Sequence, residues 1–423
     1  MPILGLLKQV FSNKLVTDVR QPLFTFDIPQ GEDTITYGFV APDLLFWVEL
    51  GVVLLVTAIC GALTSILIYN YIVRQRGTWN AYLVGYGIII PICIAFPYVM
   101  IPLLEIENKI LKFCHISIFP ILTMFRCSEA MYGFSPPSVE HSHQTFMLYY
   151  ANIPHIRFDP KTHVPLKSSW ADVKEKLYYF VYELCVVGAV LSFLSPFDYV
   201  PWTVEEKGDI VLLLEEVGSL FRWNHILNNL MGAILFERFL NAMLCGLALI
   251  STLSGFLPQD TMKSAIFGST SPSDFWGRKW NLVIHNVLKR GVFKPVRRYY
   301  PKHVASAAAF LASGIFHEWI LSGIFTSYKG YNLDKCTPKS CHDPIYGNTL
   351  AFFLWNGTLI VLEHACSHLF VFQWAKRTLP IPIISMMVVS CALPVAHWMT
   401  YNYIASDFFQ NGEFGFPMIL RQV

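Results

Sequence analysis

Charge is what this sequence has least of. Asp, Glu, Lys and Arg make up 14% of its 423 residues, against about 25% in a soluble globular protein. The formal net charge is only +2, a balance that gives a nucleic acid nothing to bind. No repeat of 20–50 residues is present, which argues against a solenoid or propeller and also against the internally repeated architecture common in secondary transporters. Near the start, Ile3–Phe11 is too short for a signal-peptide core and lacks a small-residue cleavage site. No G-x-S-x-G occurs, which argues against an ordinary serine hydrolase.

What the chain has instead is apolar surface. Apolar residues make up 54% of it and mean hydropathy is +0.45, spread along nearly the whole length. The expected fold is an all-α polytopic membrane protein. About eight transmembrane helices, with amphipathic interfacial helices, would surround an intramembrane reaction chamber. The expected spans are roughly 41–73, 80–104, 108–131, 174–196, 226–256, 303–326, 349–372 and 380–404, each near the ~20 residues a bilayer requires. The third is the weakest, interrupted by Pro120 and Arg126. Residues 1–40 read as an N-terminal interfacial segment, with Leu4, Leu7 and Phe11 at helical spacing. Residues 41–423 read as a single membrane domain.

Alternate loops hold 18 of the 31 Lys and Arg: Arg74 and Arg76, Arg157 to Lys176, Lys263 to Lys302, Lys376 and Arg377. The positive-inside rule places these in the cytosol. The 327–348 loop and both termini are then lumenal. In that loop Cys336 and Cys341 have a spacing compatible with a local disulfide.

The chemistry concentrates in two stretches. The first is SGIFHEWILSGIF (313–325), which sets His317 and Glu318 inside an apolar run, His303 to Thr326, that would rise roughly 36 Å as a helix. Ionisable groups at membrane depth usually face a cavity or a partner. Ser306, Phe310, Ser313, Gly314 and His317 share one mostly small or polar face, and a neutral imidazole there can take a proton from an alcohol. Ser313, one turn earlier, is placed to orient the ring. Glu318 points about 100° away and is expected to pair with another helix through Arg238 or Arg126.

The second stretch is SPSDFWGRKWN (271–281) and the basic run after it. From Trp280 onward Val283, Ile284, Val287 and Leu288 mark the apolar face of a helix suited to the membrane surface. Eight cations lie from Arg278 to Lys302. Two readings of them stand: attraction to anionic headgroups, or a phosphate clamp for coenzyme A built on Arg278, Lys279, Lys289 and Arg290. Trp276 and Trp280 can line the way in for an acyl chain. His364 and His368 form one H-x-x-x-H box, but a di-iron hydroxylase needs several, and His141 with His143 is the only other close pair. H-E-W-I-L at 317–321 lacks the second histidine of a zinc protease.

At these residues the chain resembles the membrane-bound O-acyltransferase superfamily, nearest to its wax-synthase-like branch. SPSDFWGRKWN, FKPVRRYYPKH (293–303) and ASGIFHEW (312–319) carry the resemblance, with weaker echoes at 115–133 and 353–364. It implies acyl transfer from acyl-CoA to a lipophilic alcohol in the endoplasmic reticulum membrane, a long-chain fatty alcohol giving a wax ester. His317 and Asn281 would be the catalytic residues, and Trp276, Trp280, Arg278, Lys279, Lys289, Arg290 and Ser313 would bind substrate. No cofactor or metal is implied; acyl-CoA is a co-substrate. The segment DFWGRKWN lacks the D-W-W-N run of sterol and diacylglycerol acyltransferases, which favours the fatty alcohol over those acceptors. Outside this superfamily, a membrane transporter and a di-iron lipid hydroxylase are the competing classes. Membrane lipids are the remaining partners, and nothing in the sequence sets an oligomeric state.

Overall fold

The computed structural model describes residues 20–30, 33–202, 217–326, 337 and 339–421. Seven helices in it are long and apolar enough to cross a membrane: α1 Leu44–Val73, α2 Trp79–Leu104, α3 Lys109–Tyr132, α4 Trp170–Phe197, α5 Trp223–Leu253, α7 Lys302–Ile324 and α8 Asn348–Cys366. Between α5 and α7 lies the short helix α6, Leu282–Leu288. After α8, α9 Ile381–Ser390 and α10 Leu393–Ile404 meet at 41° and are long and apolar enough only together, which makes them a broken span or a re-entrant loop. These match the eight expected segments within a few residues, except that α8 stops short of the expected 372.

A three-stranded antiparallel sheet, β1 Phe24–Gln30, β2 Asp33–Val40 and β3 Met418–Arg421 in the order β1-β2-β3, departs from the all-helical expectation. Phe24 pairs with Phe39, Phe26 with Tyr37 and Ile28 with Ile35, so one face is apolar, while Thr25, Asp27, Thr34 and Thr36 occupy the other. The expected helix at 3–11 lies outside the described residues. The sheet decides the number of crossings. Val40 pairs with Met418, so the residues just before α1 and just after α10 lie on one side of the membrane. The count between them is therefore even, and the bent α9–α10 pair counts as the eighth span.

The interrupted third segment is the most buried of the spans. Pro120 sits in the first turn of its second half, where a missing N–H costs nothing. Arg126, 1% exposed, donates to the carbonyls of Tyr149 (2.6 Å), Asn152 (3.0 Å) and Ile153 (3.1 Å) and lies over the Tyr149 ring. It closes the ends of a neighbouring helix from inside the protein, which is why an arginine survives in this span.

Glu318 pairs with neither expected arginine. Arg238 is held by Glu183 (3.1 Å) and Glu237 (3.0 Å). The Glu318 carboxylate instead accepts the Leu350 N–H at 2.8 Å in the first turn of α8, a favourable place for negative charge. Cys341 is disulfide-bonded, while Cys336 lies outside the described residues.

Candidate active site

Helices α7 and α8 pack so closely at Gly314 that a Cβ there would fall 2.5 Å from Leu350 Cδ1. That contact fixes one wall of a cavity of about 650 Å³, lined by α3, α5, α6, α7, α8, α9, α10 and the loop before α6. Along α7 the lining runs from Lys302 to Ile320, roughly 27 Å at 1.5 Å per residue, so the cavity follows most of a span. Its walls are predominantly apolar, with Phe, Leu, Ile and Met residues from several helices.

His317 lines this cavity. Its Nδ1 lies 2.7 Å from the Ser313 carbonyl oxygen, one turn earlier. A carbonyl only accepts, so Nδ1 carries the ring proton and Nε2 is left with a lone pair. The ring sits between Phe316 (centroids 4.2 Å apart) and Phe353 (4.3 Å), which restrict its rotation. Ser313 thus orients the histidine, through its backbone and not its hydroxyl.

Asn281 lines the same cavity. It is the N-cap of α6 at φ 32°, ψ 71°, a left-handed conformation that asparagine tolerates better than most residues. Its Oδ1 accepts the Ile284 N–H at 3.2 Å. The amide Nδ2 has no protein partner among the described residues and remains a donor. Trp276 gives its Nε1–H to Asn356 Oδ1 (3.1 Å), and Trp280 stacks on Phe275; both tryptophans face the cavity. Ser273 ties the start of this loop to α8, its N–H and hydroxyl donating to Glu363 at 2.8 and 2.9 Å.

The four cations expected to act together are split by the structure. Arg278, 81% exposed in its side chain, and Lys289, also exposed, belong to the cavity lining. Lys279 and Arg290 do not. Lys279 donates to the Gly268 carbonyl and lies 3.9 Å from Asp274. Arg290 is engaged with Glu129 (2.7 Å), the Tyr149 hydroxyl (3.0 Å) and His155 Nε2 (2.9 Å). The reason is packing. Gly291 lies against the Phe125 backbone of α3. Val283 and Val287 are buried with Leu122 and Leu244. The apolar side of α6 thus faces protein instead of the membrane surface, and Arg290 goes inward with it.

Lys302, His285, Asn356 and Phe353 also line the cavity and were not among the expected site residues. Lys302 Nζ lies 3.3 Å from His364 Nε2, whose Nδ1 is 2.8 Å from the Ile360 carbonyl, so His364 accepts from the lysine. An asparagine inside an apolar span, as Asn356 is, was the readable signal. Among the described residues no three His, Cys, Asp or Glu are grouped to hold a metal ion.

Comparison with known proteins bears on the same region. Residues 260–333 match the sequence model of the membrane bound O-acyl transferase family. A probable long-chain-alcohol O-fatty-acyltransferase 7 of Arabidopsis thaliana is 29% identical over 166 residues, 35% of this chain and 45% of that protein. The long-chain-alcohol O-fatty-acyltransferase of Simmondsia chinensis is 40% identical over 58 residues, 12% and 16%. An acyl-CoA–sterol O-acyltransferase 1 of Arabidopsis thaliana is 25% identical over 138 residues, 31% and 34%. The chain spans less than half the length of these relatives.

Proposed function

We propose that the chain is a membrane-bound O-acyltransferase of the wax-synthase-like branch, and that it transfers an acyl group from acyl-CoA to a long-chain fatty alcohol within the endoplasmic reticulum membrane. The observation that carries the reading is His317: an imidazole with Nδ1 tied to a carbonyl and Nε2 open to a long apolar cavity. As the alcohol oxygen attacks the thioester carbon, Nε2 takes its proton. The tetrahedral intermediate collapses, the carbon–sulfur bond breaks, and the leaving thiolate takes the proton from the imidazolium. Asn281 Nδ2 donates to the developing oxyanion, a role that geometry leaves open because Oδ1 is committed to the helix cap. The thioester is already activated, so no covalent enzyme intermediate is needed. Apolar walls exclude the water that would hydrolyse it and favour long chains by about 0.8 kcal/mol per buried methylene.

Purified protein given a long-chain acyl-CoA and a panel of acceptors tests this. Formation of wax ester in the presence of a chelator supports it. Esterification of sterol or diacylglycerol alone would move the acceptor to the sterol-type reading that one relative favours. No ester from any acceptor removes the proposal.

A further inference from the structure

We propose that Asn356 is a positioning residue for acyl transfer: it fixes the spacing between His317 and Asn281 by holding the aromatic loop through the Trp276 indole. This deepens the acyl-transfer reading above and rests on it. His317 and Asn281 stand on separate elements, α7 and the start of α6. The element that touches both is α8. On it Phe353 and Asn356 are one turn apart and share a face. Phe353 flanks the His317 ring, centroids 4.3 Å apart. Asn356 accepts the Trp276 Nε1–H at 3.1 Å. One helix face thus meets the proton acceptor and the loop that leads to the oxyanion donor.

The contact is built to hold one geometry. Asn356 is 3% exposed, and its Nδ2 donates to the Phe352 carbonyl of its own helix at 2.8 Å, which turns Oδ1 to the indole. Trp276 also packs against Phe353 of α8 (centroids 5.7 Å apart) and Phe310 of α7 (6.0 Å), so both helices hold its ring. The turn Phe275–Lys279 is closed by the Trp280 N–H, which donates to the Phe275 carbonyl at 2.9 Å. A shift of Trp276 is therefore passed to Trp280 and to Asn281 beside it. Helix α8 in turn is seated on α7 by the Gly314–Leu350 contact and by Glu318, which accepts the Leu350 N–H. Without the Asn356 oxygen, the indole N–H would lack a partner against apolar walls, and the ring would turn to find one.

Turnover with one acyl-CoA and one alcohol, read per amount of monodisperse protein, tests this. Asn356→Leu, close in volume but without the acceptor, should lower kcat about 10- to 100-fold, because a misplacement of about 1 Å can cost that much, and should leave both KM values within about 2-fold. Trp276→Phe, which keeps a ring but removes the donor, should lower kcat likewise. Both act through one bond, so the double variant should be no slower than the slower single one. Asn356→Asp, which keeps an acceptor oxygen, should recover most of kcat. Should Asn356→Leu fail to fold, Trp276→Phe still decides, and full kcat in it overturns the proposal. A residue that only stabilises the fold would lower yield or melting temperature and leave kcat per folded molecule unchanged; that outcome overturns it too, as do losses that multiply in the double variant. These outcomes leave acyl transfer intact. Absence of ester from the unmodified protein with every acceptor overturns both.

Discussion

His317 and Ser313 are joined by a 2.7 Å hydrogen bond from ring Nδ1 to backbone carbonyl across one helical turn. The bond fixes the tautomer and leaves Nε2 as the acceptor. Replacing His317 by Ala should therefore cut acyl transfer on the order of 10²–10⁴-fold, the usual contribution of a general base, with the protein still folded. Ester formation by purified variant, normalised to monodisperse protein, reads this. Retention of a third of wild-type turnover would end the assignment.

Asn281 carries two roles that a substitution series can separate. Asn281→Asp keeps a side-chain oxygen for the Ile284 N–H and tolerates the left-handed backbone, but loses the amide donor. It should fold normally and lose about 10²–10³-fold in kcat. Asn281→Ala should in addition lose stability by about 1 kcal/mol from the missing cap. Thermal unfolding in detergent beside turnover distinguishes them, and an active Asp variant would make Asn281 purely structural.

Arg290 and Lys289 are neighbours with opposite expected phenotypes. Removing Arg290 leaves the fully buried Glu129 without its ion pair, which typically costs about 3–5 kcal/mol. Arg290→Ala should fail in expression or melt early, and whatever folds should keep its acyl-CoA KM. Lys289→Ala should fold and show a raised acyl-CoA KM that weakens with added salt.

Acidification should destabilise the protein through His155 and His285. Burial holds His155 well below its ordinary value, with Arg290 and Arg126 adding to the effect, and holds His285 near 4. The unfolded chain then binds more protons than the folded one below about pH 6.5, so stability is full above that value and falls as pH drops toward 4. Melting temperature measured from pH 7.5 to 5 should decline, and less so in His285→Asn. A flat profile would contradict the burial of both rings.

The sheet makes a topological prediction. Single cysteines placed at Thr25 and Arg421 in a background without other reactive cysteines should label from the same side of sealed vesicles, and one at Lys289 from the other. Labelling of Thr25→Cys and Arg421→Cys from opposite sides would break the even count of spans.

The spans and the histidine were legible because both are imposed by the bilayer. A crossing helix needs a run of apolar residues, and an ionisable residue within such a run stands out. Side-chain direction was not legible in the same way. The density of cations from Arg278 to Lys302 says nothing of which ones turn inward, and Gly291 against Phe125 is what turns Arg290. Glu318 illustrates the same limit, since its partner is a backbone N–H and leaves no mark in composition. The hairpin was written in the alternation of Phe24, Phe26 and Ile28 with Thr25 and Asp27, a period-two signal inside a segment read only as interfacial.

Pairing of β2 with β3 joins residues nearly 400 positions apart, and this orders events during synthesis. Val40 emerges from the ribosome long before Met418 exists, so β2 must wait with an open edge while eight crossings are inserted. Closure of that edge comes only once Met418–Arg421 has been made. A chain that stops before Met418 would insert every helix and yet leave this edge of β2 unpaired. Such a truncated product would present an exposed strand edge to quality control, the kind of feature that promotes misassembly.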